Sequence, residues 1–284
     1  MSVTRFSVGT SAGVIAGWET GQGPPLLFLH GGPGMSEYGQ LLIGEAPGWR
    51  FITFQQRGLA PSSTDGPFTL ERHVEDAAAV LDAAGVEHAV VAGHSFGAHL
   101  ALHLAVARPD RVVGLVLVDG LGVIGDGGVS DLGQALVARL LPDAAARLQQ
   151  LTAQLGEQPT DDQATEQTAL LWPGYFAEPR TAPPFEMRVC AAAYLGTAAS
   201  VTEHLAAGFA QSLASIGVPV ITVLGGQSPM PVRQGEQTAA LISGAEVRII
   251  PGAGHLPWHE QPGCVAAALA DVAGRSDREQ APAG

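Results

Sequence analysis

The chain has 284 residues and a formal net charge of −13, and 46% of its residues are hydrophobic but only 14% charged. This composition provides for a large buried core. The acidic balance argues against nucleic acids and anionic membranes as partners, because both bind basic surfaces. The two cysteines, Cys190 and Cys264, fit no metal or redox spacing, and we expect no metal and no cofactor.

The first residues, Met1 to Phe6, contain no apolar segment typical of a signal peptide. No apolar run reaches the roughly 18 residues of a membrane-spanning helix. We therefore expect a soluble cytoplasmic protein, a monomer or homodimer, that acts on a small molecule.

The first part of the chain alternates strand and helix patterns. Residues 25–29 are a continuous apolar run typical of a buried strand, and residues 30–34 add three glycines and a proline. In chain order we predict strands at 3–8, 13–19, 25–29, 50–54, 88–92 and 112–118, and helices near 36–44 and at 70–84 and 96–107.

Ser95 lies at the centre of Gly93-His94-Ser95-Phe96-Gly97, between a predicted strand and a predicted helix. A Gly-x-Ser-x-Gly sequence in this setting is typical of a nucleophile elbow, in which a tight turn exposes the serine hydroxyl. The helix N-terminus behind it offers free backbone N–H groups. We therefore predict that Ser95 is a nucleophile; the alternative is a chance match in a chain with 37 glycines.

After residue 120 the alternation of strands and helices stops, and it resumes only near residue 218. Between them we predict helices at 130–155 and 161–171, followed by aromatic, proline-rich segments. The last part of the chain is predicted to form strands at 218–224 and 246–250 and helices at 232–242 and 262–273. The predicted domains are an α/β core at 1–120 and 213–273, a helical cap at 121–212 and a disordered tail at 274–284.

Polar side chains follow five of the predicted strands, at the point where each strand ends. They are His30, Ser95, Asp119, Ser228 and His255. Because the carboxyl ends of parallel strands meet at one edge of a sheet, we expect these side chains to form a site there.

Three motifs make the chain similar to the α/β-hydrolase family over its whole length except the tail. They are His30-Gly31-Gly32-Pro33-Gly34, Gly93-His94-Ser95-Phe96-Gly97 and Gly252-Ala253-Gly254-His255. The resemblance implies an α/β fold with a mainly parallel sheet flanked by helices and an inserted cap. It also implies that Ser95 is the nucleophile, that His255 is its base, and that the N–H groups of Gly32 and Phe96 form the oxyanion hole.

The third member of the triad departs from the family pattern. The family usually supplies an Asp in the loop after the penultimate strand, where this chain has Ser228. A second location, after the strand that follows the nucleophile helix, holds Asp119. This relocated acid resembles haloalkane dehalogenases and lactone hydrolases such as zearalenone lactonases. We predict Asp119 as the acid, with Asp126 or a carboxylate from the cap as alternatives.

The oxyanion motif and the turn Gln56-Arg57-Gly58 also resemble proline iminopeptidases. Those enzymes show Asp where this chain has Gln55, and Trp where it has Phe96. The leading prediction is therefore a serine hydrolase that cleaves a carboxylic ester or lactone through an acyl-enzyme. An aminopeptidase that binds the substrate's ammonium group through acidic cap residues is the second hypothesis, and a non-hydrolytic binding protein or lyase is the third. The acidic candidates are Glu178, Glu186 and Glu203.

The substrate pocket is predicted to be largely apolar, because aromatic residues are concentrated in the second half of the cap. The predicted substrate-binding residues are Gly31, Trp172, Tyr175, Phe176, Phe185, Met187 and Tyr194.

Overall fold

The structure is a computed structural model that describes residues 2–156 and 158–280. It contains eight strands in one sheet, in the order β1-β2-β4-β3-β5-β6-β7-β8. The strands are β1 (Val3–Thr10), β2 (Gly13–Thr20), β3 (Pro25–Leu29), β4 (Arg50–Phe54), β5 (Ala89–His94), β6 (Val112–Val118), β7 (Val220–Gly225) and β8 (Glu246–Ile250). The β1–β2 and β2–β4 pairs are antiparallel, and the pairs from β4 to β8 are parallel.

Helices lie on both faces of the sheet, and four further helices follow β6 and precede β7 in the chain. They are α1 (Leu70–Ala83), α2 (Phe96–Ala107), α3 (Val129–Ala138), α4 (Pro142–Gln154), α5 (Asp161–Leu171), α6 (Ala191–Ala206), α7 (Val232–Ala239), α8 (Pro257–Glu260) and α9 (Cys264–Gln280). None of the helices in the described part of the chain is long and apolar enough to cross a lipid bilayer.

The central strands are buried on both faces, which explains their continuous apolar runs. Alternate residues point to opposite faces of a strand, so Leu27 packs with α1 and α2 while Phe28 packs with α9. An apolar layer therefore packs against each face of the sheet. The loops at the carboxyl ends of the strands lie outside these layers and can carry polar side chains.

The segment between β6 and β7 holds α3 to α6; we call residues 121–212 the cap segment. Helix α6 is attached to the core helix α1 by two buried side-chain hydrogen bonds. Ser200 Oγ accepts from the Leu70 N–H at 3.0 Å, and Thr197 Oγ1 lies 3.0 Å from His73 Nε2.

Two predicted helices differ from those observed. The predicted helix near 36–44 consists of two short 3-10 turns, Gly39–Leu41 and Ile43–Glu45. The predicted helix at 130–155 is broken into α3 and α4, because Pro142 has no N–H to donate and keeps Leu141 extended. Helix α6 and the short α8 were not predicted individually.

The predicted disordered tail is wrong for residues 274–280, because α9 continues to Gln280. The Ser276 hydroxyl donates to the Val113 carbonyl at 2.6 Å, and Arg275 pairs with Glu246 of β8. These polar contacts attach a segment without apolar periodicity to the sheet. Residues 281–284 of the predicted tail lie outside the described residues.

A buried ion pair connects the turn after β4 to α1. Arg57 and Asp76 form a bidentate pair, with N–O distances of 2.7 and 2.8 Å. Both side chains are fully buried, so each charge depends on the other for compensation.

The Asp76→Asn variant is therefore expected to lose about 3–5 kcal/mol of unfolding free energy, because it leaves the Arg57 charge buried and unpaired. Urea denaturation measures this loss. The matched control is Asp82→Asn on the same helix, where the carboxylate is 69% exposed in its pair with Arg111. That variant is expected to lose less than about 1 kcal/mol; equal losses in the two variants would contradict a special role for the buried pair.

Candidate active site

Ser95 occupies a sharp turn between β5 and α2, with φ 55° and ψ −121°. This backbone conformation is strained for a residue with a side chain. A Cβ atom on Gly97 would lie 2.0 Å from the Leu29 carbonyl oxygen, and one on Gly93 would lie 2.2 Å from the Gly97 carbonyl oxygen. The turn therefore requires glycine at both positions, as its sequence predicts.

The sheet register brings Asp119 to the same level as Ser95. His94 of β5 pairs with Val118 of β6, so the next residues leave their strands side by side. The Ser95 N–H donates to the Val118 carbonyl at 2.9 Å. Asp119 is thus held by a strand end rather than by a loop.

His255 approaches Asp119 from the loop after β8. His255 Nδ1 lies 3.5 Å from Asp119 Oδ1, and Asp119 Oδ2 accepts from the Gly225 N–H at 2.9 Å. The backbone N–H of His255 donates to the backbone carbonyl of Tyr175, in the cap segment, at 2.7 Å. Burial raises the pKa of the Asp119 carboxyl above its ordinary value, while the contacts with His255 and Gly225 favour the charged form.

Ser228 shares the same side of the imidazole. Its Oγ lies 3.4 Å from His255 Nδ1 and accepts from the Met230 N–H at 3.1 Å. Asp126, one of the sequence-level alternatives for the acid, instead accepts from the N–H groups of Gly128 and Ser130 at the start of α3. Its carboxylate is therefore committed to the α3 terminus.

The other imidazole nitrogen, Nε2, belongs to a residue that lines a cavity. His255 Nε2 is buried and has no hydrogen-bond partner among the described residues. His255 and Ser95 line the same cavity of about 50 Å³. Buried polar atoms usually have a hydrogen-bond partner, so Nε2 is free to bind a polar group of a ligand.

Of the two predicted oxyanion donors, Gly32 lines the cavity, and Phe96 directly follows the lining residue Ser95. Phe96 is the first residue of α2, so its N–H precedes the first bond within the helix. Gly32 lines the cavity and has φ +62°, a conformation favoured by glycine. The Gly31 N–H is already used, because it donates to Tyr38 Oη at 2.5 Å. Gly31 supports this loop and does not line the cavity.

Side chains from the turn after β4 hold the loop that carries Gly32. Gln56 Nε2 donates to the His30 carbonyl at 2.8 Å, and Gln55 Nε2 donates to the Met35 carbonyl at 2.9 Å. Gln55 Oε1 also accepts from the Glu37 N–H. Since an ionised aspartate could only accept, the glutamine at this position makes a contact that Asp could not.

The cavity wall combines the core and the cap segment. In addition to Ser95 and His255 it is lined by Gly32, Met35, Tyr38, His94, Thr168, Trp172, Tyr175 and Leu256. None of these described lining residues is Asp, Glu, Lys or Arg. The cavity therefore offers no charged side chain to neutralise an ionic group on a ligand.

Trp172 and Tyr175 line the cavity, whereas the other predicted aromatic residues do not. Phe176 is fully buried beneath Trp172, and Phe185 packs against the same indole with ring centroids 5.6 Å apart. Met187 belongs to this apolar cluster, and Tyr194 is 46% exposed on α6. These side chains fill the cap segment or face solvent, which composition alone does not distinguish.

Sequence reasoning missed several lining residues. Met35, Tyr38, Thr168 and Leu256 carry no motif and reach the cavity through tertiary packing. His94, which the sequence analysis assigned no role, also lines the cavity, with its ring centroid 4.7 Å from that of His255.

The acidic residues considered for ammonium binding face away from the cavity. Glu178, Glu186 and Glu203 are all exposed, and Glu178 accepts from the Arg180 N–H in its own turn. The carboxylate that an aminopeptidase would need to bind the substrate's ammonium group is therefore absent from the described cavity wall.

The spacing Gly-x-Gly-x-x-Gly, which is typical of dinucleotide-binding loops, occurs at residues 120–125 after β6. A dinucleotide fingerprint must open directly into a helix whose N-terminus faces the phosphates. Here α3 begins only at Val129, and the Gly122 N–H donates to the Gly127 carbonyl in a closed turn. This loop lacks the geometry of a nucleotide cradle.

No cluster of three or more metal-ligating side chains occurs within the described residues.

Comparison with curated proteins gives partial matches. Lipase LipV of Mycobacterium tuberculosis (strain ATCC 25618 / H37Rv) is 35% identical over 132 residues, which are 45% of this chain and 49% of LipV. The aligned part thus spans about half the length of this relative. 2-Hydroxymuconate semialdehyde hydrolase of Pseudomonas putida is 37% identical over 37% of this chain and 39% of its own length.

Solved structures resemble this chain over nearly its whole length. A proline iminopeptidase-related protein of Thermus thermophilus has a TM-score of 0.66 and 23% identity, covering 97% of this chain and 98% of that one. Est816, described as an N-acyl homoserine lactone degrading enzyme, has a TM-score of 0.61 and 23% identity, covering 94% of this chain and 99% of that one. At these identities the likeness concerns the fold.

A family model described as alpha/beta hydrolase fold matches residues 24–262. That match includes the loop of residues 30–34, the turn at Ser95 and the loop that carries His255, and it agrees with the observed sheet. The chain therefore belongs to the alpha/beta hydrolase fold family.

Proposed function

We propose that this protein is a serine hydrolase that cleaves an uncharged carboxylic ester or lactone through an acyl-enzyme on Ser95. The observation that carries the proposal is one cavity in which Ser95 and an unpartnered His255 Nε2 meet walls without a charged side chain. We further propose that residues 121–212 act as a cap domain over a core domain made of 1–120 and 213–273. The ligand would then bind between the two domains.

In the proposed first step, Ser95 Oγ attacks the carbonyl carbon while its proton moves to His255 Nε2. The buried Asp119 carboxylate then faces the imidazolium through Nδ1 and stabilises its positive charge. The N–H groups of Gly32 and Phe96 donate to the oxyanion that forms on the substrate. Each donor of this kind is worth roughly 2.7–4 kcal/mol in a well-studied hydrolase.

Collapse of the tetrahedral intermediate expels the alcohol, which takes the proton from His255 Nε2, and leaves an acyl group on Ser95. A water molecule then attacks the acyl carbonyl carbon while His255 Nε2 takes its proton. The bond between the acyl carbon and Ser95 Oγ breaks, and His255 returns the proton to Ser95 Oγ as the carboxylic acid leaves. In a lactone the expelled alcohol stays attached to the acyl group, so a single hydroxy acid is the product.

An uncharged substrate is favoured because an ionic group in this cavity would lose its hydration without gaining a counter-charge. The exposed positions of Glu178, Glu186 and Glu203 weigh against the aminopeptidase hypothesis, which needs a carboxylate near the substrate's ammonium group. LipV and Est816 are named as a lipase and a lactone-degrading enzyme, which agrees in reaction class.

The nucleophile is tested by treating the folded protein with an uncharged fluorophosphonate and measuring intact mass and modified peptides. One adduct on Ser95 is expected, together with complete loss of esterase activity. The Ser95→Ala variant is expected to give no adduct at the same reagent concentration. Absence of labelling of the folded wild-type protein would overturn the acyl-enzyme proposal.

The acid is tested by the Asp119→Asn variant, which is expected to lower kcat by about 10³–10⁴-fold, since the imidazolium loses its counter-charge. Adding Ser228→Asp to this variant is expected to recover at least about tenfold, because Ser228 Oγ lies 3.4 Å from His255 Nδ1. Ser228→Asn in the same background is the matched control and should recover nothing. Unchanged kcat in Asp119→Asn would contradict the assignment.

Charge selectivity is tested with two esters of similar size, p-nitrophenyl butyrate and mono-p-nitrophenyl succinate. The kcat/KM for the charged ester is expected to be about 10–100-fold lower, because its carboxylate must be desolvated without a cationic partner. Proline p-nitroanilide tests the aminopeptidase alternative and should turn over more slowly than either ester. Preference for the succinate or for the anilide would overturn the proposed substrate class.

A further inference from the structure

A continuous chain of hydrogen bonds runs beneath the cavity. The Gly31 N–H donates to Tyr38 Oη at 2.5 Å, and Tyr38 Oη lies 2.6 Å from His94 Nδ1. His94 Nε2 in turn lies 2.8 Å from the carbonyl oxygen of His255. The Tyr38, His94 and His255 side chains are all buried, so water does not compete for these contacts.

The direction of every bond in this chain is determined by its ends. The His255 carbonyl can only accept, so the proton of the His94 ring lies on Nε2. His94 Nδ1 is then an acceptor for the Tyr38 hydroxyl, and the Tyr38 oxygen accepts from the Gly31 N–H. With a neutral His94 ring, only this arrangement of protons satisfies all three contacts.

Both rings remain neutral in this environment. Burial lowers the pKa of His94 well below its ordinary value, and the neighbouring His255 lowers it further. Burial raises the pKa of Tyr38. A neutral His94 is consistent with its position, because a second positive charge beside the His255 ring would disfavour the imidazolium that the mechanism requires.

The chain connects three parts of the site that come from distant positions in the sequence. Gly31 directly precedes the oxyanion residue Gly32, His94 directly precedes Ser95, and the last acceptor belongs to His255 itself. Since Gly32 and His255 lie on loops, their positions relative to Ser95 depend on such attachments.

We propose that Tyr38 and His94 form a positioning relay that fixes the oxyanion loop and the catalytic histidine relative to Ser95. This inference rests on the proposed serine-hydrolase function. Tyr38 and His94 act through Gly31 and the His255 backbone and take no part in bond making. A loss of either link leaves both loops folded but allows small displacements, and a displacement of about 1 Å can cost a rate factor on the order of 10².

The first test is Tyr38→Phe, which removes one hydroxyl and keeps the ring. We expect kcat for an uncharged ester to fall about 10–100-fold while KM changes less than about threefold, because ground-state binding does not use the oxyanion donors. The control is Val80→Ala, which alters a buried residue of α1 that does not line the cavity. It loses stability without moving kcat. Equal effects of the two substitutions on kcat would overturn the relay.

The second test is a double-mutant cycle with His94→Gln. If the two side chains work as a unit, Tyr38→Phe/His94→Gln is no more than about threefold slower than the slower single variant. If the two rate losses multiply, the side chains act independently and the relay is wrong. Urea denaturation of all four proteins accompanies the kinetics, so that a variant with less than about 90% folded protein is assayed at lower temperature.

Fluorophosphonate labelling separates this inference from the function on which it rests. No labelling of the wild-type protein would overturn the proposed function and the relay with it. Labelling of wild type and Tyr38→Phe at the same rate would overturn the relay alone. Slower labelling of Tyr38→Phe, at unchanged stoichiometry on Ser95, is the expected result.

Discussion

The close approach of three backbone segments at Ser95 is the constraint on which the site depends. The carbonyl oxygen of Leu29, at the end of β3, fills the space where a side chain on Gly97 would lie. This contact brings the oxyanion loop, which starts one residue after Leu29, against the turn that exposes Ser95. Since the turn itself is strained, the surrounding packing must hold it, and the buried faces of β3, β5 and α2 do so.

The remaining chemistry is attached to this corner by buried polar contacts. Asp119 comes from the neighbouring strand, whose register with β5 fixes its distance from Ser95. Asp119 directly follows β6, whereas Ser228 lies in the loop between β7 and α7. His255 is held on one side by Asp119 and on the other by the cap segment, through the Tyr175 carbonyl. The cap segment thus contributes to positioning as well as to the cavity wall.

The sequence allowed prediction of those features that depend on local motifs. The elbow glycines, the strand before them and α2 after them follow from steric requirements within five residues. The position of Asp119 required a further inference from Ser228, because no local signal separates a catalytic carboxylate from an ordinary strand-end Asp. Features created by tertiary packing were not predictable: Phe176 is buried beneath Trp172, and Thr168 reaches the cavity from α5. The hydrogen bonds of His94 likewise depend on residues 56 and 161 positions away in the chain.

We propose that a single elbow, one relocated acid and two backbone N–H donors form one catalytic unit. A crystal structure of the phosphonylated protein would show how these groups are arranged around the reacting atom. We expect phosphorus bonded to Ser95 Oγ, with the phosphonyl oxygen within hydrogen-bond distance of the Gly32 and Phe96 N–H groups, and His255 Nδ1 facing the Asp119 carboxylate. A phosphonyl oxygen directed away from these donors, or a His255 ring paired with another carboxylate, would contradict this arrangement.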